Sequence, residues 1–396
     1  MSKLLRTIID YYLNSQGFNG IPIRTIKCFN LEEIKLLIKM DLIEAISNDN
    51  NPHIKAFNKQ DKKEKQIASL LNPNCHLYPT TKALSSIQKD QRKVYNSLLQ
   101  SGWGQFEVVF FDVAVLENYF NNPQYRVFDM GYGGHISIYN EYADGELENI
   151  KNYGVAYGAN KEKDKAVGAF IRDLAFLSEK AQMRWASYEM KDQGQWKING
   201  IFYRSLILGE WDEHVWIYDA LLYEQQVINQ ICNCIGIHHI FVKIWDERPD
   251  GYRSIIIPTK KNYYEFVEAL EKIVANNISS KAFTGIQKNT KAITAEKGEG
   301  TIALLGKWLI ANGRHVSVVN EYIVGNLKEI RKQRQIPAHE IYENTYDKNF
   351  YKMQNDLMKK AYDAMSCLRI MLSTHPLARN IKVPNCLEDP TNIVFY

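Results

Sequence analysis

The sequence predicts an α+β protein of several domains, and three observations lead there. Its 396 residues suffice for two or three domains, and 45% hydrophobic with 24% charged residues is an ordinary globular composition. Apolar residues recur at helical spacing near both ends, whereas the middle mixes such stretches with short aromatic and β-branched runs broken by glycine. Residues 279–300, rich in Lys, Thr, Ala and Gly with no apolar periodicity beyond Phe283 and Ile286, read as a linker. The expected divisions are 1–95, 96–290 and 301–396.

In the first division Leu4, Leu5, Ile8, Ile9, Tyr12 and Leu13 fall on one helical face, closed by Gly17 and Gly20. Leu31, Ile34, Leu37 and Ile38 repeat the pattern up to Met40. Leu42–Ile46 then reads as a short strand before a turn-rich run ending at Pro52. Helix, helix, strand, loop and strand in that order resemble a winged-helix module. Such modules read DNA or serve as protein-interaction units, and Leu31–Met40 has two Glu and two Lys rather than a basic recognition face. Asp61–Lys65 is expected to be a solvated turn. His53, Cys75 and His76 lack the paired spacing of a metal site.

The central division opens with an apolar run, Glu107–Asp112, and a short helix over Val113–Phe120. Tyr125–Tyr139, with Gly131, Gly133 and Gly134, predicts a hairpin. Its glycines lack phosphate-loop spacing and read as a tight turn. Val167, Phe170, Ile171, Leu174, Leu177, Ala181 and Trp185 predict one long helix over Lys165–Met190, and a second runs over Val215–Cys234. Glu210 and His214 bring a carboxylate and an imidazole four residues apart, either as a reacting pair or as the acids a first helical turn favours. Ile240–Trp245 and Arg253–Pro258 read as paired strands after His238 and His239. This division has the look of a sensor or adaptor.

Three helices are expected in the last division: Ile302–Ile310 ending at Gly313, Val316 to about Gln335, and Asn349–Ser373. The buried stripe of the third is Met353, Leu357, Ala361, Met365, Leu368 and Leu372. The second helix is amphipathic through Ile323, Leu327 and Ile330. It then crowds three cations, Arg331, Lys332 and Arg334, ahead of His339. A permanently charged guanidinium near an imidazole that titrates close to neutrality suits holding a phosphate and moving a proton. Residues 301–396 carry 13 Lys and Arg against 9 Asp and Glu, while the rest of the chain holds 36 of each. The whole basic excess therefore sits here, as an RNA-facing domain would have it. Two Arg/His pairs have comparable spacing, Arg334/His339 and Arg369/His375. His375 precedes Pro376 and reads as a helix end, so the first pair is the candidate. Pro337 is expected to kink or restart the helix between its members.

Arg334, the polar Gln335 and His339 on a helix resemble the motif of the HEPN family of all-helical domains, over about residues 302–375. Where that family commonly has Asn, Asp or His after the Arg, this chain has Gln335. Many HEPN domains are metal-independent ribonucleases of bacterial toxin or antiviral systems; others only dimerise or hold RNA. The resemblance implies a C-terminal all-α bundle and a symmetric homodimer in which both Arg/His pairs converge. It also implies attack of an RNA 2′-hydroxyl on the adjacent phosphate. His339 would transfer the proton, Arg334 would hold the phosphate and Gln335 would orient both. Neither metal nor cofactor is expected, and an antitoxin or defence-system protein is an expected partner. Arg331 and Lys332 would contact neighbouring phosphates and Tyr342 would stack on a base, or the three form a solvated helix face. The competing reading is a non-catalytic dimeric regulator carrying a DNA-binding winged-helix module.

No apolar run approaches 18 residues, so a membrane span is not expected, and the N-terminus lacks the pattern of a signal peptide. Six scattered cysteines, with only Cys232 and Cys234 close together, point to free thiols in the cytoplasm.

Overall fold

Leu4, Leu5, Ile8, Ile9 and Tyr12 line the buried face of the first helix, α1 (Lys3–Asn14), as their spacing predicts. A computed structural model describes residues 1–14, 20–26, 30–47, 61–87, 92–139, 148–161, 163–210, 213–249, 251–285, 289–339 and 342–395. Gly17, the turn-rich run after Ser47, and His53 lie outside them. After β1 (Ile21–Pro22) comes α2 (Leu31–Lys39), whose N-cap Asn30 accepts the Glu32 amide at 3.0 Å. Then follow β2 (Ile43–Ile46), α3 (Lys63–Ser69), β3 (His76–Pro79) and α4 (Thr81–Leu84). The three strands form an antiparallel sheet in the order β1-β3-β2. Residues 61–65 are exposed, but from Lys63 they begin a helix where a turn was expected. Gln66 anchors it by turning inward, accepting the Ala45 amide at 3.1 Å and donating to the Asp61 carbonyl at 2.7 Å.

Helix α5 (Val94–Gln100), β4 (Val108–Phe111) and α6 (Glu117–Phe120) lead into β5 (Tyr125–Asp129) and β6 (Gly133–Ile138), which pair antiparallel as the expected hairpin. Gly131 turns it at φ +82°, and its amide donates to Asp129 Oδ1 at 2.8 Å. Next come β7 (Ile150–Tyr157), β8 (Lys165–Phe170), α7 (Ile171–Ala175), α8 (Glu179–Ser187), β9 (Lys197–Ile198) and α9 (Gly200–Tyr203). The antiparallel sheet runs β4-β8-β7-β6-β5, with β9 added to β7. The expected helix over Lys165–Met190 is thus a strand and two shorter helices. Residues 166–170 are all buried, and a strand that is apolar on both faces fits a helical period as well as its own. Glycines betray the strand: Gly154 pairs with Gly168, and a Cβ on either would come within about 2.6 Å of Ile198.

Residues 1–161 and 165–212 form one compact unit, and a second is built from 213–396. In the second, β10 (Val215–Trp216) pairs in parallel with β11 (Ile393–Val394). Between them lie α10 (Ile217–Ile235), α11 (Lys260–Val274), α12 (Lys281–Thr284), α13 (Thr301–Ala311), α14 (Val316–Val318), α15 (Asn326–His339), α16 (Asn349–Ser373) and α17 (Asn385–Glu388). A π-helical stretch, Val319–Gly325, joins α14 to α15 and buries Val319, Ile323 and Val324. The stripe expected of α16 is buried except for Met353, which is exposed. One apolar core takes in helices on both sides of the stretch read as a linker, and Phe283 within that stretch is fully buried with its ring 5.5 Å from that of Trp308. The division of packing therefore falls near residue 212 rather than near 300.

The strand pair expected at Ile240–Trp245 and Arg253–Pro258 does not form. Side chains of α10, of α16 and of the turn after α11 occupy the hydrogen-bonding positions that a neighbouring strand would fill. Asn229 bonds both the amide and the carbonyl of Phe241, at 3.1 and 2.8 Å, and Asn277 does the same for Lys243, at 2.8 and 2.7 Å. Gln354 accepts the Ile255 amide at 3.0 Å and donates to the Arg253 carbonyl at 3.0 Å. These buried amides satisfy the loop backbone, so no sheet is required.

At the centre of the helical unit, Arg369 of α16 donates to Glu224 of α10 at 2.5 Å and to the Leu387 carbonyl at 3.0 Å. Glu224 is fully buried, and desolvation raises its carboxyl despite the guanidinium beside it. Removing one partner strands the other charge, so Arg369→Met is expected to destabilise the chain by about 3–5 kcal/mol in urea titration. The double variant Glu224→Leu/Arg369→Met should recover most of that loss.

Burial also lowers the Lys165 ammonium from 10.5 to about 8, with Asp129 opposing the shift. Below pH 8 both folded and unfolded chains carry this proton and the burial penalty is complete. Between about 8 and 10 the folded chain has shed it while the unfolded chain keeps it, so this group makes stability rise with pH, by at most about 1.4 kcal/mol per unit. Urea midpoints at pH 7.5 and 9.5 should show that rise in the wild type relative to Lys165→Met.

Candidate nucleic-acid interface

Leu327 and Ile330, both fully buried, pin α15 to the bundle and leave its charged positions on the outer side. Arg331 is half-buried and Nε donates to Glu271 Oε1 of α11 at 3.1 Å. Lys332, Arg334 and Gln335 are exposed. Glu268, one turn before Glu271, bonds Lys272 at 2.7 Å; that hydrogen bond, with the Arg334 charge adding to it, holds the Glu268 carboxyl below its usual range. Two arginines one turn apart on α15 therefore face two carboxylates one turn apart on α11. The charges alternate across the groove between the helices.

Towards the start of α11 the groove becomes aromatic. The Tyr342 and Tyr264 rings meet edge to face at 4.9 Å and 80°, and Lys260 Nζ lies 5.3 Å from the first ring centre and 5.9 Å from the second. The Lys260 amide donates to the Thr345 carbonyl and the Lys261 amide to Asn344 Oδ1, both at 2.9 Å, which fixes this segment to the helix. Tyr342 is thus already engaged with a tyrosine and a lysine of its own chain.

Helix α15 continues through Pro337 to His339 without the expected restart. Pro337 lacks the amide that would bond the Gln333 carbonyl, yet helical backbone continues on both sides of it. Positions 334 and 339 are therefore about 140° apart around one axis. His339 is the last described residue of α15, and its side chain lies outside the described residues. Within one copy the helix does not turn the two positions to the same side.

The second Arg/His pair is structural. Arg369 is spent on Glu224, and His375 caps the turn Pro376–Ala378 by accepting the Leu377 amide at 3.3 Å. Glu210 approaches Arg204 at 4.0 Å and belongs to the first unit, whereas His214 belongs to the second. His239 Nε2 meets Asn233 Oδ1 at 2.8 Å, and His76 Nδ1 meets the Asn74 carbonyl at 2.9 Å. Cys75 and Cys232 are buried and Cys234 is exposed. Among the described residues, no group of three or more His, Cys, Asp or Glu is arranged to hold a metal ion.

Sequence reasoning missed α11 and with it Glu268, Glu271, Tyr264 and Lys260. The signal was present: Tyr263, Phe266, Val267, Leu270 and Val274 recur at helical spacing after the N-cap Thr259. No family model, curated protein or solved structure matches the chain.

Arg331 anchors a nearly buried carboxylate whereas Arg334 stands in water, and thermal melts should separate them. Arg331→Met is expected to cost about 1–2 kcal/mol by leaving Glu271 with one charged partner fewer, and Arg334→Ala less than about 0.5 kcal/mol.

Proposed function

We propose that the helical unit acts on RNA as a dimeric, metal-independent endoribonuclease of HEPN type, in a bacterial toxin or antiviral system. The observation that carries this reading is the exposed cationic end of α15. Arg334 and Gln335 face water beside Lys332, and α11, whose Glu268 feels the Arg334 charge, carries Lys260 and Tyr264 at its start, where they meet Tyr342. The exposed guanidinium suits a phosphate, and the aromatic end suits a flanking base. Glu268 already draws on the Arg334 charge, so a phosphate arriving there would exchange one anion for another.

The chemistry follows from these groups and the following helix end. Arg334 would bind the scissile phosphate and the charge that builds on it, and Gln335 would hold the geometry. His339 would take the 2′-hydroxyl proton as that oxygen attacks phosphorus and the 5′ oxygen departs. Because positions 334 and 339 diverge by about 140° within one helix, a working pair draws its Arg from one copy and its His from the other. A twofold contact through α15 satisfies that requirement. The reading places the protein in the cytoplasm, where RNA is at hand.

A second reading has its own observation. Strand order β1-β3-β2, with α2 preceding β2 and α3 standing between β2 and β3, supports a winged-helix-like regulator that docks on DNA or protein. Helix α2 balances Glu32 and Glu33 against Lys35 and Lys39, which favours a protein partner, such as an antitoxin, over a phosphate backbone.

Purified wild type, Arg334→Ala and His339→Ala incubated with total RNA and a chelator test the main reading. Cleavage is expected from the wild type, with a loss of at least about 100-fold in each variant and a dimeric mass by light scattering. An equal mixture of the two variants should regain part of the activity through hybrid dimers. Cleavage that survives both substitutions, or that proceeds at full rate in a monomer, overturns it. Retarded migration of duplex DNA, falling steeply with salt, would favour the second reading.

A further inference from the structure

Helix α11 and the chain from α15 to Thr345 run antiparallel, and three contacts fix their levels. Arg331 Nε donates to Glu271 Oε1 at 3.1 Å, the Tyr264 and Tyr342 rings meet at 4.9 Å, and the Lys260 amide donates to the Thr345 carbonyl at 2.9 Å. Glu268 lies between the first two levels. It stands three residues from Glu271 and four from Tyr264, so the three share one face of α11. Along the helix axis it is about 6 Å from Tyr264. Arg334 holds the matching place on α15, three residues beyond Arg331.

The two carboxylates of that face differ in what they do. Glu271 is nearly buried and bonded to Arg331, so it belongs to the packing of the helices. Glu268 is exposed, with half of its side-chain surface in water, and Lys272 meets it at Oε1 alone, at 2.7 Å. An ionised carboxylate has about four lone-pair sites, so this bond leaves room for others. The bond from Lys272, with the Arg334 charge beside it, holds the carboxyl below its usual range and so in its ionised form at neutral pH.

A nucleotide with its phosphate on Arg334 and its ring against the Tyr264–Tyr342 pair has its base edge beside Glu268. The four bases meet a carboxylate differently. Guanine alone carries two adjacent donors, N1–H and the N2 amino group, which match the two carboxylate oxygens as a bidentate pair. Adenine and cytosine carry one amino donor next to a ring acceptor, and uracil carries N3–H between two carbonyls. Each of those three sets a lone pair against the second oxygen. Base pairing hides this edge, so only an unpaired base can present it. Resting on the RNA reading above, we propose that Glu268 is a specificity-determining residue of that site and reads the base beside the cleaved bond as an unpaired guanine.

Fluorescence anisotropy on the full chain tests it with 2′-O-methyl RNA hexamers, which lack the attacking hydroxyl and so stay intact. The probes are hexauridine and the same strand with one central guanosine, inosine, adenosine or cytidine. The guanosine strand is expected to bind about tenfold tighter than hexauridine. The inosine strand, which lacks the N2 donor, should fall between them. Glu268→Gln offers one acceptor and one donor in place of two acceptors, and should bring guanosine to within about threefold of uridine. Hexauridine should bind that variant no more weakly than the wild type, with the melting temperature unchanged. The proposal is overturned, and the RNA reading left standing, if guanosine binds no tighter than adenosine or cytidine, or if its preference survives Glu268→Gln. Failure of every hexamer to bind at low salt overturns the RNA reading and this inference with it.

Discussion

Removing a carboxylate and a guanidinium from water is unfavourable by several kcal/mol for each ion unless they meet, and meet with their remaining bonds made. Glu224 and Arg369 meet at 2.5 Å between the two longest helices of the second unit, and Arg369 also donates to the Leu387 carbonyl, while the buried Glu224 Oε1 is left without a hydrogen-bond partner among the described residues. Apolar side chains tolerate small slips between helices, because leucine against leucine is much the same one ångström away. A buried ion pair does not. Sliding α10 along α16 by one turn would strand both charges, so the pair sets the register of the bundle on which the other helices are laid.

Within that register the polar side chains of the helices, and of the turn after α11, act as a mould for an irregular chain. The segment from Ile240 to Ile257 has the composition of strands, and alone it would seek a sheet. Asn229, Asn277, Gln354 and Asn262 instead present amides that bond its backbone groups one residue at a time. A side-chain amide carries a donor and an acceptor like a peptide unit, so it replaces a strand neighbour without imposing a strand's straightness. The loop is thereby held firmly without regular structure, and it leads into α11, whose carboxylates face α15.

The sequence was most legible where one face alone meets the core. α1, α2 and α16 show a one-sided apolar stripe, and each lies within about two residues of its expected bounds; α10, buried on most of its circumference, was legible by its length instead. Legibility failed where burial is two-sided, as in β8, or where distant polar groups decide the backbone, as at Phe241 and Lys243. The cations of α15 were readable as residues but their surroundings were not, because Glu268 and Glu271 stand some sixty positions earlier and meet them only through packing. Arg369 shows the reverse. Its spacing to His375 imitated a reactive pair, yet it lies in the core, where an arginine is held by its buried acid.

The π-helical stretch Val319–Gly325 holds one residue more than an α-helix of the same height would need. Val324 uses the offset to settle against Gly306, where an added Cβ would come within 2.7 Å of it. That surplus residue is also a phase setting. Every residue downstream is rotated about 100° from where an uninterrupted α-helix would have put it, so the facing of Arg331 towards Glu271, two turns on, is inherited from a bulge it never touches. Lineages that lose this residue would keep the helix, the core composition and every cation, and still present a different side of α15 to the world.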